Sequence, residues 1–443
     1  MKFIFMDLTA PVMSRGGEAR AGRTRSTGAG GAGAWVVKSG RGRQPVIFIE
    51  RQRSILGRIK PGSSDPLSSW ESNVMRVAAL ISFSLLLLSA RVEAQEEVRE
   101  GLDWVSIPLL KFNDDAGFVY GAKLELVDFD PDVEPFAWNL ELKLLHSTKN
   151  RHEHRALVDV PRIGGSAWRL TSRAEVLHID DANFFGLGND STNTEDAALH
   201  LFQLTEARAR VVMRRPISGA LFVAAGLTAN LTLVDVEETS LLALDPPEGA
   251  EGGTGLGVVL SLGHDSRDDE LVPRRGAFLE LYTKGAALPS QGSFFFGAGA
   301  VAQLYVSPAS WLVLAQRLMV ETLFGDVPFY EAARMGGSVD FLALGGVYSQ
   351  RGFVEGRFAG RDKLLSNSEA RVLFPPLWER LLLGVGLFAD LSRVLDSPDF
   401  FAGLHPSAGA ALYINWDNAF VFRVEEALSE EGALFYIEGR YLF

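Results

Sequence analysis

The chain has 443 residues, 47% of them hydrophobic, a formal charge of -12 and no cysteine. Without cysteine there is neither a disulfide framework nor a thiolate metal site, and the chain is compatible with an oxidising compartment. The charge is uneven: residues 1–74 hold 12 Lys/Arg and 5 Asp/Glu, whereas residues 95–443 hold 29 and 49, an acidic body that argues against nucleic acid as a partner.

Residues 1–74 are rich in Gly, Ser and Arg and carry no sustained period. The one conspicuous apolar run, Val77 to Ala90, is shorter than the ~20 residues of a spanning helix. Arg76 precedes it, and Val92-Glu93-Ala94 follows as a small-residue cleavage site, so residues 75–94 read as a secretory signal peptide. A signal behind 74 residues is unusual. Residues 1–74 are therefore expected to be upstream sequence from a start codon placed too early, with Met75 as the true start. The alternative is a basic, disordered extension.

From Gln95 onward the pattern is alternation of period two, repeated many times. Trp138, Leu140, Leu142 and Leu144 alternate with Asn139, Glu141 and Lys143; Glu206, Arg208 and Arg210 share a face opposite Ala207, Ala209 and Val211. A soluble sandwich points its apolar face inward, and a membrane barrel points it to lipid around a polar lumen. Period alone leaves both open. Strands are expected near 103–112, 117–129, 136–148, 152–161, 166–179, 199–214, 217–235, 252–264, 275–286, 292–306, 309–324, 363–375, 379–393, 404–415, 418–427 and 433–443. That is about sixteen, an even number, with short connections alternating against long ones at 180–199, 237–252 and 325–362. Together with secretion, this favours an all-β fold: a transmembrane, antiparallel, up-and-down barrel spanning residues 95–443.

The longest connection carries Gln350, Arg351, Gly352 and Phe353. A long loop in a regular β-protein is usually functional or disordered. An Arg beside a Gly suits bidentate carboxylate pairing at close backbone approach. On the next two strands, Glu369 shares a face with Asn367 and Arg371, and Gly384, Gly386, Phe388 and Asp390 share another. Two inward carboxylates thus follow directly after the loop. His146, His152 and His154 cluster around one outer loop; solvated loop residues are the preferred reading over a metal site. No Ser/His pair or phosphate-binding Gly run stands out, so the chain reads as non-enzymatic and without a cofactor.

These residues resemble the bacterial surface-antigen superfamily of outer-membrane barrels, which includes the BamA/TamA-type assembly and translocation barrels. Asp265, Arg267 and Asp268, with Pro273 and Gly276, resemble the family's Asp-x-Arg-Asp…Pro…Gly turn; Asn183 to Asn189 is similar to a further family stretch. Gln350 to Phe353 resembles the lid-loop motif, with Gln350 in place of the usual Val. Phe388-Ala389-Asp390 resembles the family's Phe-x-Asp element. The amphipathic end of the chain, with Tyr441 and Phe443 on the face of Phe435 and Ile437, looks like the assembly signal of outer-membrane barrels.

The resemblance implies an inward-folded lid whose Arg351 docks on a wall of Glu369, Phe388 and Asp390, with Phe353 packing near Phe388. It implies a bacterial outer-membrane location, and outer-membrane lipid, lipopolysaccharide and the barrel-assembly machinery as partners. Family insertases carry periplasmic receiving domains ahead of the barrel. Fewer than ten residues separate Gln95 from the first expected strand, which leaves no room for one, so a separate periplasmic partner would have to supply it. Two functions remain open: aiding insertion or translocation of outer-membrane proteins or lipids, and acting as a passive channel or structural barrel.

Overall fold

In the computed structural model, residues 100–443 are described, except 192, 195, 339–341, 376–380, 397–402, 417–419 and 440–441. The expected extension (1–74) and signal peptide (75–94) lie outside the described residues. The alternating segments form sixteen barrel strands. The first eight are β1 (Gly101–Asn113), β2 (Gly117–Asp130), β3 (Val133–Ser147), β4 (His152–Val160), β5 (Arg169–Asn183), β6 (Leu201–Ser218), β7 (Leu221–Asp235) and β8 (Gly253–Asp265). Then follow β9 (Gly276–Leu288), β10 (Ser293–Ala309), β11 (Leu312–Gly325), β12 (Asp362–Leu373), β13 (Leu381–Val394), β14 (His405–Trp416), β15 (Phe420–Ser429) and β16 (Gly432–Glu438). Each pairs antiparallel with its sequence neighbour, and β16 returns to β1 to close the barrel.

The pleat decides which side is which. On β12, Lys363, Leu365, Asn367, Glu369, Arg371 and Leu373 are buried inside. On the opposite parity, Leu227, Leu256, Leu281 and Leu387 are 61–70% exposed on the outer wall. Leucine outside and paired charge inside is the inverse of a soluble sandwich and fits a wall in contact with lipid. Pairing of each strand with its neighbours satisfies most of the backbone hydrogen bonds there. No helix among the described residues is long and apolar enough to cross a membrane; the crossing is made by strands.

The loops at 184–200, 236–252 and 326–361 all leave from one end of the barrel. The last contains a helical turn, Phe329–Ala332, and a two-stranded ribbon pairing Arg334–Met335 with Leu342–Ala343. Its Met335, Leu344, Phe353 and Phe358 share one buried cluster with Val212 on β6, Phe222 on β7, Tyr282 on β9, Met319 on β11 and Leu365 on β12. Those side chains face the interior from strands around much of the barrel, so this segment occupies the lumen.

Fifteen strands lie within a few residues of their expected positions. The sixteenth does not reach Phe443; its ladder stops at Glu438. Gly439 comes next and offers no side chain to either face of a strand. Leu442 is buried, and Phe443 lies against Tyr305, Arg317 and Arg371, all of which face inward. The chain end is thus turned into the barrel rather than laid along its outer wall. Two guanidiniums hold it: Arg317 Nη1 donates to the Leu442 carbonyl at 3.5 Å and Arg371 Nη2 to the Phe443 carbonyl at 3.4 Å. Tyr441 lies outside the described residues.

Candidate functional site

Arg351 is fully buried, and three strands supply its acceptors. Its Nε and Nη2 donate to the two oxygens of Asp390 on β13, each at 2.8 Å, a bidentate fork. Its Nη1 donates to Glu369 on β12 at 2.6 Å and to Glu425 on β15 at 2.8 Å. The Arg351 backbone N–H also donates to Asp390, at 3.1 Å. The guanidinium lies flat on Phe388, 3.5 Å from the ring centroid, where the negative ring face attracts it.

Three carboxylates around one cation would be over-charged, and the wall corrects this. Arg371 Nε donates to Glu369 at 2.7 Å, and Arg423 Nε lies 3.1 Å from Glu425. Three buried cations therefore face three buried anions, which is how charges persist away from water.

The neighbouring motif residues fit closely. Gly352 has φ +88°, and a Cβ there would come within 3.1 Å of Ser407 and 3.3 Å of Ser429; the backbone favours glycine, and the space around it is tight. Its N–H donates to Tyr436 Oη at 3.0 Å and its carbonyl accepts from Ser429 Oγ at 2.6 Å. Gln350 is buried, donating to the His405 carbonyl at 2.5 Å and accepting from Ser392 Oγ. Phe353 does not pack on Phe388. It meets Phe358, ring centroids 5.2 Å apart, and His405, while Phe388 belongs to a second cluster with Val347, Tyr413 and Tyr436. The Phe388 ring face carries Arg351 instead.

The same segment reaches the closing seam. Tyr348 Oη donates to Glu438 on β16 at 2.5 Å, and Lys111 on β1 bonds both, at 2.6 Å to Glu438 and 2.9 Å to Tyr348. Phe435 N–H donates to Asp114 at 2.8 Å. The Asn183–Asn189 stretch grips the segment from the other side. Gly188 N–H donates to the Ala359 carbonyl at 2.8 Å, and Arg357 lies over Phe185. Asn189 bonds Asp396, the Gly403 carbonyl and the Val394 N–H. A second anchor lies across the lumen, where Arg334 forks onto Glu206 of β6 at 2.7 and 2.6 Å.

The Asp265–Gly276 turn stands at the opposite end of the barrel. Asp265 accepts from Arg267 Nε at 2.9 Å, and Asp268 accepts the N–H groups of Arg274 and Arg275 at 2.9 and 3.1 Å. Pro273 is buried, and Gly276, at φ +101°, sits where a Cβ would meet the Ser266 carbonyl at 2.1 Å. This turn closes locally and is separate from the Arg351 cluster.

Sequence reading missed Glu425, Arg423, Tyr348, Lys111 and Tyr436. The first two share a parity on β15 that the alternation contains. The others depend on how the segment folds inward, which no local period encodes.

No protein-family model matches the chain, and no curated protein matches it in sequence. Among solved structures it resembles BamA from Haemophilus ducreyi lacking POTRA domains 1-3, with TM-score 0.52 and 14% identity, over 77% of this chain and 70% of that one. The fold is that of a BamA-type barrel. CdiB from Escherichia coli is similar at TM-score 0.50 and 11% identity, over 78% of this chain and 63% of that one. At such identities the likeness is one of fold. With its closed wall and apolar exterior, this BamA-type barrel is an integral protein of the bacterial outer membrane.

Proposed function

We propose that the barrel aids insertion or translocation of outer-membrane proteins or lipids by parting at the seam between β1 and β16. The observation that carries this is the brevity of the seam. Among the described residues, only Phe112↔Ile437 and Asn113↔Tyr436 are in register there, whereas β1 pairs with β2 along its whole length. Each ladder hydrogen bond is worth about 0.5–1.5 kcal/mol net, so two registered pairs make a weak closure. Unpaired backbone in lipid costs several kcal/mol per group, so strand β1, left underpaired, is an edge on which a client strand can be accommodated.

In this reading the Arg351 segment is a lid that also latches the seam. Tyr348 and Gly352 contact β16, Lys111 reaches from β1, and Arg351 fixes the segment to β12, β13 and β15. The role is non-catalytic. Outer-membrane lipid and lipopolysaccharide surround the barrel, the barrel-assembly machinery inserts it, and a separate periplasmic partner delivers clients. The Arg351 segment lying in the lumen weighs against the alternative, a passive channel.

The chain contains no cysteine, so a Phe112→Cys/Ile437→Cys pair reports on the seam alone. Directly opposed strand residues are within disulfide reach. In liposomes, oxidation should abolish acceleration of client insertion and reduction should restore it. Equal acceleration with the seam cross-linked would overturn the reading.

A further inference from the structure

The outer wall carries a second polar constellation, far from the Arg351 cluster. His146 on β3, His152 on β4 and His178 on β5 lie in one row across the sheet, as His146↔His152 and His152↔His178. His154 lies one step further along β4, opposite Leu144 and Val176. Lys143, Leu145 and Ser147 face the interior, so His146 faces outward, beside the 148–151 turn. These imidazoles, expected as solvated loop residues, are half-buried at His146 and His152 and exposed at His154, and their rings are in contact with one another.

The hydrogen-bond chain assigns their protons. Asn150 Nδ2 donates to Asp180 Oδ2 at 2.5 Å, which turns the Asn150 amide oxygen toward His152 Nε2 at 2.9 Å. That nitrogen must hold a hydrogen, which leaves a lone pair on His152 Nδ1. It points at His146 Nδ1, 2.6 Å away. His178 is engaged at both nitrogens, with Thr205 Oγ1 at 2.7 Å and Asp180 Oδ1 at 3.0 Å. The nearby cations are drawn elsewhere: Lys143 pairs with Glu153, Arg151 with Glu355 and Arg155 with Glu141.

We propose that His146, His152 and His154 form a surface site for a divalent first-row transition ion that favours imidazole, such as zinc, nickel or copper. With metal–nitrogen bonds of ~2.1 Å, two imidazoles on one tetrahedral ion have ring centres roughly 5 Å apart. The His146 ring centre is 4.7 Å from that of His152 and 5.2 Å from that of His154. Asn150 and Asp180 form the outer shell that orients His152, the usual partner of a ligating histidine. Among the described residues no three ligand side chains yet converge on one point. The ion binds first to the two Nδ1 atoms, which move apart from 2.6 Å to about 3.4 Å, the separation that a tetrahedral ion requires; the His146 proton moves to its Nε2, and a rotation of His154 brings in the third nitrogen. The remaining position, at the loop end of the outer wall, is open to water or to an oxygen ligand.

The test is titration of the full-length barrel in detergent micelles with Zn2+ against a chromophoric chelator, with Cu2+ electron paramagnetic resonance in parallel. One saturable equivalent is expected, with nitrogen hyperfine structure from at least two imidazoles. His146→Gln or His152→Gln should abolish it, and Asn150→Ala should weaken it by about 10–100-fold. His178→Gln should leave it in place. The substituted residues are on the outer wall or in the adjoining turn, and heat-modified gel mobility verifies that each variant folds. Absence of saturable binding, or binding that survives in the His146→Gln/His152→Gln double variant, overturns the site.

Discussion

Replacing Arg351 with Ala tests the interior cluster most sharply. The wild-type cluster balances Arg351, Arg371 and Arg423 against Glu369, Asp390 and Glu425, all buried. After the substitution Glu369 keeps Arg371 and Glu425 keeps Arg423. Asp390 loses the fork that bound both its oxygens. Removing one partner of a buried ion pair costs about 3–5 kcal/mol, mostly because the remaining charge is stranded. Water entering the vacated space would lower this toward the exposed-pair range, and the Phe388 stacking adds about 0.5–2 kcal/mol. Urea denaturation of the micellar barrel, followed by tryptophan fluorescence and gel mobility, should show the loss as a lower midpoint. Arg351→Lys should recover only part, because an ammonium cannot fork onto Asp390 while reaching two further carboxylates. Arg351→Met combined with Asp390→Asn should be less damaging than Arg351→Met alone. A change within about 0.5 kcal/mol for Arg351→Ala, the size typical of a surface substitution, would refute the reasoning.

Other perturbations follow from the same contacts. Gly352→Ala should destabilise by about 1–2 kcal/mol from the left-handed backbone alone, with more from the contacts at Ser407 and Ser429; an unchanged midpoint would contradict the tight fit. Arg334→Ala removes the fork on Glu206, which keeps Arg208 and Thr232 as partners, and should make the segment between β11 and β12 more sensitive to limited proteolysis without shifting the β-sheet circular dichroism. Asp115, in the turn after β1, accepts from the Glu355 N–H at 3.2 Å. Burial, and then the Glu355 carboxylate, push its pKa from 3.8 up to about 7. Between those values the folded state binds the proton more tightly than the unfolded state, so this group's contribution to stability falls as pH rises through that window. The wild-type melting temperature minus that of Asp115→Asn should therefore decline from pH 5 to pH 8, and a flat difference would count against the shift.

The barrel was legible because each strand repeats the same period, and the expected signal peptide favoured one of its two meanings. Charges such as Glu206, Arg208 and Arg210 alternate with Ala207, Ala209 and Val211, and this pattern needs no knowledge of partners. The site was only half legible. Asp390 and Glu369 could be read from parity next to a loop carrying Arg351. Glu425 lies on β15, two strands beyond β13, and becomes a partner only once the loop folds across the lumen. Phe443 continued the alternation of β16 in sequence, but two inward arginines hold it inside. The histidines show the same limit. His146 and His152 are brought opposite each other by the length of one turn, whereas His178 joins them through the register across the 161–168 connection.

The central claim is that this barrel acts on the membrane through a seam latched by the Arg351 segment. The most direct measurement refolds residues 95–443 into liposomes and times the insertion of an unfolded small barrel client. Empty liposomes and the Arg351→Ala variant are the comparisons. Acceleration by the wild type that the variant loses is the predicted result. No acceleration, with steady ion conductance across the same membranes, would contradict the claim and identify a passive channel.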